Sequence, residues 1–173
     1  METIQVKKVS INDIEELRKI GIQTFLDTFG ASNSDENMAK YLEEGFSLEK
    51  LTNELNNKNS DFFFAMIGND IIGYLKLNIG QSQTELLYEK ALEIERIYVL
   101  KEYHGKKVGQ ILYDKAFQIA ILKNVDFIWL GVWEENPRAI HFYKKNGFVE
   151  FDMHIFKLGE DEQMDIMMKK MMS

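Results

Sequence analysis

The feature that most constrains the fold is the order of elements over residues 92–148: strand, glycine-containing turn, helix, strand, helix. Glu93-Ile94-Glu95-Arg96-Ile97-Tyr98-Val99 reads as a strand and leads into Tyr103-His104-Gly105-Lys106-Lys107-Val108-Gly109, a turn that opens a helix. Apolar residues at 108, 111, 112, 116, 119 and 120 form the stripe of an amphipathic helix over 108–122. A second strand is predicted over 125–133. Asn136-Pro137 then opens a second helix, to about 146, because Asn is a favoured N-cap and Pro137, the only proline of the chain, suits the first helical position. Gly147 stands just past its end, where a helix commonly turns through positive φ.

The flanks extend this core. Residues 4–9 alternate as a half-buried strand, and Ser10, with Asp13 three residues on, caps a helix to about Asp27. A loop over 30–34 precedes two short helices, for which Ser34 and Ser47 are the caps and Gly45 the break. Asp61-Phe62-Phe63-Phe64-Ala65-Met66-Ile67 is nearly all apolar, the signature of a central strand. Gly68-Asn69-Asp70 turns it back into a partner strand over 71–78. A polar loop with room for a helical turn spans 80–88, and a third central strand covers 91–99. Residues 148–157 read as a strand; 163–171 read as the last one, although the methionines would equally make a helix. The expected architecture is a mixed α/β (α+β) sheet in one domain, 1–173.

Length and composition narrow the function classes. The chain has 173 residues, enough for one domain with a sizeable core. It has no cysteine, which removes disulfides and thiolate metal sites, and its three histidines lack paired spacing, so no metal is expected. No apolar run reaches membrane-span length and the N-terminus lacks the order of a signal peptide, so a cytoplasmic protein without a membrane partner is expected. The net charge of −7 argues against direct nucleic-acid binding and mildly favours a cationic substrate. Acidity for solubility alone remains the weightier explanation.

Two places carry candidate chemistry. Gly105 and Gly109 bracket Lys106-Lys107-Val108, and free N–H groups at a helix N-terminus favour a phosphate. The spacing fits neither a Walker A loop nor a dinucleotide fingerprint, and a surface turn with solvated lysines is about as good a reading. Asn136, Ile140 and Tyr143 share one side of their helix, so Asn136 and Tyr143 can face one cleft; by spacing alone Tyr143 is more readily core, like Phe142. Glu93 and Glu95 share strand parity and hence a face, where they are solvated, paired with Lys76 on the adjacent strand, or used in chemistry. Trp133 and Glu134 end the next strand and are candidates to line the same cleft.

The turn His104-Gly105-Lys106-Lys107-Val108-Gly109 and the run from Asn136 to Phe148 (N-x-x-A-x-x-F-Y-x-x-x-G-F), together with the order of elements, resemble the GNAT acetyltransferase superfamily. The fuller run Gly131-Val132-Trp133-Glu134-Glu135-Asn136-Pro137-Arg138-Ala139-Ile140 resembles its PaiA-type branch of polyamine N-acetyltransferases. The resemblance covers essentially the whole chain. It implies the GNAT fold: a mostly antiparallel sheet of about six to seven strands, helices on both faces, splayed between the fourth and fifth strands. It implies acetyl-CoA as co-substrate, with the pyrophosphate on the N–H groups of His104, Gly105, Lys106, Lys107, Val108 and Gly109, and Gln110 beside them. The pantetheine would lie along Ile97, Tyr98 and Val99, with Val99 N–H polarising the thioester, and Asn136, Arg138 and Tyr143 would complete the cofactor side. Tyr143 would protonate the departing thiolate. Glu95, with Glu93 or Glu134 as alternates, would take the proton of a cationic amine, and Glu93, Trp133 and Glu134 would hold that amine. The family's usual turn is Gln/Arg-x-x-Gly-x-Gly/Ala; here His104 and Lys107 stand at its first and fourth positions, so the loop requires Lys107 to adopt a glycine-like conformation. The expected acceptor is spermidine or spermine; a peptide acceptor, or a regulator that binds acetyl-CoA or a metabolite, is the other reading. An exposed edge strand near the C-terminus would allow a homodimer.

Overall fold

The computed structural model describes residues 3–85 and 90–172. The elements in order are β1 (Ile4–Lys8), α1 (Ile14–Phe29), α2 (Asp35–Gly45), α3 (Leu48–Asn56), β2 (Ser60–Ile67), β3 (Asp70–Ile79), β4 (Ala91–Val99), α4 (Val108–Leu122), β5 (Phe127–Trp133), α5 (Pro137–Lys145), β6 (Val149–Leu158) and β7 (Asp161–Met171). Short 3₁₀ turns over Ile11–Asp13, Gly30–Ser32, Gly80–Ser82 and Lys101–Tyr103 join them. The seven strands form one sheet in the order β1-β2-β3-β4-β5-β7-β6, the GNAT fold that the resemblance implies. The last segment is a strand: its methionines alternate between the two faces instead of forming a helical stripe. Of the loop expected over 80–88, residues 86–88 lie outside the described residues.

Local sequence accounts for the helix starts. Ser10 and Asp13 form a reciprocal capping box, although a 3₁₀ turn intervenes before α1 begins. The Ser34 and Ser47 hydroxyls accept from Asn37 N and Lys50 N, one orphan donor each at the mouths of α2 and α3. Asn136 Oδ1 accepts from Ala139 N at 3.3 Å, with Pro137 in the first turn.

Every strand pair is antiparallel except β4 and β5. That parallel ladder runs from Ala91↔Phe127 to Ile94↔Leu130 and stops, so the two strands separate beyond Ile94 and Leu130. Both faces of the sheet are covered. One core joins Leu92, Ile94, Ile128 and Leu130 to α4 and α5 through Leu112, Tyr113 and Tyr143. The other joins Phe62, Phe64, Tyr74 and Trp133 to α1, α2 and α3 through Leu17, Phe25, Met38 and Leu51. The splay between β4 and β5 opens a passage between these two layers.

β4 also carries an irregularity. Opposite it, Lys76 pairs with Arg96 and Leu77 with Ile94, which leaves Glu95 as an extra residue in a β-bulge. A bulge shifts parity by one, so Glu95 and Arg96 crowd toward the same side instead of alternating.

Candidate active site

The splay opens into a cleft of about 980 Å³ that runs from the N-terminus of α4 to the aromatic underside of α1 and α2.

The α4 end is shaped by the turn. Gly105 has φ 79° and Lys107 has φ 66°, so the lysine adopts the left-handed conformation that a glycine would take without cost. Burial of Val108 anchors the first turn of α4 behind it. The His104 ring donates from Nε2 to the Val99 carbonyl at 2.8 Å and ties the turn to the end of β4. His104, Gly105, Lys107, Val108, Gly109 and Gln110 all line the cleft, as do Ile97, Tyr98 and Val99. Lys106 does not: its ammonium lies 5.4 Å above the Tyr103 ring. Gln110 exchanges hydrogen bonds with Asn146 at the far end of α5, which fixes the two helices relative to each other.

From α5, Asn136, Arg138, Ala139, Phe142 and Tyr143 face the cleft. Ile140, placed on that side by spacing, packs into the core instead. Tyr143 does both: it is 7% exposed, sits among core side chains and still borders the cleft. Burial pushes its phenol pKa up and keeps the proton on it.

At the opposite end Phe25, Phe29, Tyr41, Phe46, Trp133 and Phe156 make an aromatic wall, with Phe25 and Tyr41 stacked at 4.3 Å. Carboxylates interrupt it: Asp27, Glu93, Glu95, Glu135 and Asp165, beside the Arg96 guanidinium and the His154 imidazole. Glu134 is exposed and is not part of the lining; its neighbour Glu135 is, because the chain turns between Trp133 and Asn136. Asp27 Oδ1 accepts from Gln23 at 3.0 Å, while Oδ2 is buried without a hydrogen-bond partner.

Glu93 and Glu95 do share a face, and Asn78 Nδ2 donates to both, at 2.9 and 2.8 Å. Their electrostatics differ. Glu93 is raised by burial, partly countered by hydrogen bonds from Asn78 and Thr84. Burial would raise Glu95 too, but Arg96 and then Lys76 outweigh it and hold the carboxyl down at about 2. Lys76 Nζ lies 2.7 Å from Glu95 and 2.9 Å from Glu54 of α3, and Arg96 Nη2 is 3.5 Å from Glu95. Glu95 is therefore one corner of a four-charge cluster under α3, and the pairing with Lys76 is realised. Sequence reasoning does not find Asp27, Glu54, Glu85, His154 or Asp165. None belongs to a local motif, and only strand parity, for Lys76, points toward the cluster.

The Acetyltransferase (GNAT) family profile matches residues 17–148. The chain belongs to the GNAT family. An uncharacterized N-acetyltransferase of Lactobacillus delbrueckii subsp. lactis is 38% identical over 170 residues, covering 98% of each chain. A spermidine N(1)-acetyltransferase of Thermoplasma acidophilum is 30% identical over 172 residues, covering 97% of each. The crystal structure of the PaiA N-acetyltransferase from Thermoplasma acidophilum in complex with coenzyme A superposes with a TM-score of 0.80 at 28% identity, covering 98% of this chain and 99% of that one. As a GNAT protein it is an acetyl-CoA-dependent N-acetyltransferase. The α4 end of the cleft fits that co-substrate: two residues of positive φ present backbone N–H groups at a helix N-terminus, and beyond Ile94 β4 has no partner on its β5 side.

Proposed function

We propose that this GNAT enzyme acetylates a primary amine of a polyamine such as spermidine or spermine. The observation that carries the reading is the lining of the acceptor end, where carboxylates punctuate an aromatic wall. A polyamine alternates ammonium groups with methylene spacers. Ammonium groups seek carboxylates and aromatic faces, and methylenes pack on rings. Asp27 Oδ2, buried and without a hydrogen-bond partner, is suited to receive one distal ammonium. The Thermoplasma relative, whose name specifies spermidine, supports the same class.

Acetyl-CoA supplies the acetyl group as a thioester. His104, Gly105, Lys107, Val108 and Gly109 hold its pyrophosphate through backbone N–H groups; Lys106, turned onto Tyr103, contributes its N–H and not its charge. Ile97, Tyr98 and Val99 present backbone to the pantetheine, and Val99 N–H polarises the carbonyl. Asn136 caps α5, while Gln110 and Arg138 border the cofactor side. Tyr143 holds a proton for the departing sulfur. The amine attacks directly, as the family resemblance implies, and the absence of cysteine, which removes a thiol nucleophile, agrees with that.

The test is a panel of spermidine, spermine, diamines, amino acids and peptides incubated with acetyl-CoA and purified protein, with free CoA followed over time. Turnover confined to polyamines supports the proposal. Turnover confined to peptides sinks the polyamine assignment and leaves acetyl transfer standing. Binding of acetyl-CoA without turnover of any amine favours a regulator.

A further inference from the structure

An alkylammonium titrates near pH 10, so transfer at neutral pH requires a group that removes a proton. Glu95 is poorly suited, since its ion pairs with Arg96 and Lys76 leave it little affinity for one. Glu93 Oε1 and Oε2 are occupied by Asn78 and Thr84. A different set of titratable groups stands at the splay itself.

His154 of β6 and Asp165 of β7 are cross-strand partners, and both line the acceptor end of the cleft. They stand over Gly131, the first residue of β5 beyond the last pair with β4. A Cβ at Gly131 would meet Asp165 Oδ2 at 3.2 Å and His154 Cε1 at 3.6 Å, so glycine is what admits this pair to the point where β4 and β5 part. His154 Nε2 is 3.5 Å from Asp165 Oδ2, and Nδ1, buried, is 2.7 Å from Oε1 of Glu85 in the loop before β4, although the ring is not turned to make that contact a hydrogen bond. Side-chain exposure climbs along this line: 17% at Asp165, 28% at His154, 38% at Glu85. Among the described residues, the charged groups facing the imidazole are Asp165 from β7 and Glu85 from the loop; β5 offers Gly131, and Glu93 and Glu95 of β4 line the same cleft.

We propose that Asp165, His154 and Glu85 form the proton exit of the transfer site. The acceptor's N–H bond breaks, its electron pair stays on nitrogen, and the proton bonds to the Asp165 carboxylate. His154 takes it on Nε2 and, once its ring turns to aim Nδ1–H at Glu85, releases that proton to Glu85, which returns it to solvent. Burial raises Asp165, against a smaller opposing effect of His154, which suits it to accept. Imidazole is suited to the middle position because it ordinarily exchanges protons near neutrality. The inference rests on the acetyl-transfer reading and not on the identity of the amine.

The test compares His154→Gln and Asp165→Asn with the wild type across pH. On spermidine at pH 7 each variant is expected to lose about 10²-fold in kcat. The loss is expected to shrink steadily toward pH 10, as solvent deprotonates the amine, and the double variant to be no worse than the poorer single one. A loss that is the same at every pH, or no loss, overturns the proposal. A second readout needs no acceptor: in carboxyl-labelled protein followed by NMR, His154→Gln should move the Asp165 midpoint upward, because it removes the neighbour that lowers it. An unmoved midpoint means the two groups do not exchange charge and also overturns it. If the wild type acetylates a peptide and not spermidine, the polyamine reading falls, and the same pH comparison on that peptide decides the relay.

Discussion

The α4 end of the cleft is shaped by two short runs, 97–110 and 136–146, whereas the acceptor end draws side chains from α1, α2 and β3 through β7. At the first, the backbone supplies the binding groups. Positive φ at Gly105 and Lys107 and the mouth of α4 do not depend on distant parts of the chain. At the second, every useful group is a side chain held by another side chain: Glu95 by Lys76 and Arg96, His154 by Glu85 and Asp165. The contrast suits one end that takes an invariant co-substrate and another that selects an amine. A site made of side chains changes specificity by point substitution; a site made of backbone does not.

The comparison breaks most severely at the four-charge cluster. Lys76, 5% exposed, joins Glu54 of α3 to Glu95 of β4 more tightly than Arg96, which lies against the same two carboxylates. Lys76→Met leaves two carboxylates beside Arg96 and is expected to destabilise the fold by about 3–5 kcal/mol, as when one partner of a buried pair is removed. Chemical denaturation measures this. The pH dependence follows from Glu95, whose folded-state pKa of about 2 lies below its ordinary 4.5. Its contribution is complete above about 4.5 and is lost as pH falls through about 2; at about 1.36 kcal/mol per pH unit of displacement it amounts to about 3 kcal/mol. The gap between variant and wild type should therefore narrow across that window by the share of the Glu95 contribution that Lys76, and not Arg96, supplies. A gap that stays constant down to pH 2 would show that Glu95 is not held by Lys76.

Tyr143 sits where the two ends meet. Tyr143→Phe keeps the ring that packs against Phe142 and Phe148 and removes only the hydroxyl. If that hydroxyl delivers a proton, kcat falls about 10²-fold with KM for acetyl-CoA little changed. Steady-state kinetics at saturating amine decide it, and an unchanged kcat removes Tyr143 from the chemistry.

The same contrast explains what is legible in the sequence. The helix caps at Ser34, Ser47 and Asn136, the turn at 104–109 and the α5 motif are legible because each is a short-range statement about backbone donors and φ. Most strand segments follow from their apolar patterns, but 163–171 does not, because its methionines suit a helix equally well. The bulge at Glu95 is not legible: nothing in Ile94-Glu95-Arg96 distinguishes an extra residue from an ordinary alternation, and only the register against β3 reveals it. Parity does bring Glu93 and Glu95 together, but burial sets Glu93, while Arg96 of their own strand and Lys76 of β3 overcome burial at Glu95. Sequence spacing puts Glu134 in the cleft whereas Glu135 lines it, a one-residue error of the kind a turn after a strand produces. His154 and Asp165 meet only because β6 and β7 pair in one particular register.

Lys107 is the finest test of a backbone-built end. Its φ of 66° costs a non-glycine residue about 1–2 kcal/mol, and glycine would relieve that at the expense of greater freedom in the unfolded chain, about 0.5–1 kcal/mol. Lys107→Gly is therefore expected to stabilise the protein slightly, by about 1 kcal/mol or less. Its ammonium is solvent-exposed at the cleft mouth, so if the N–H groups carry the pyrophosphate, KM for acetyl-CoA should rise less than about threefold. Thermal melts and acetyl-CoA titrations read the two effects separately. A tenfold rise in KM would mean that the lysine charge, and not the turn it completes, holds the anion, and the α4 end would then join the acceptor end as a site made of side chains.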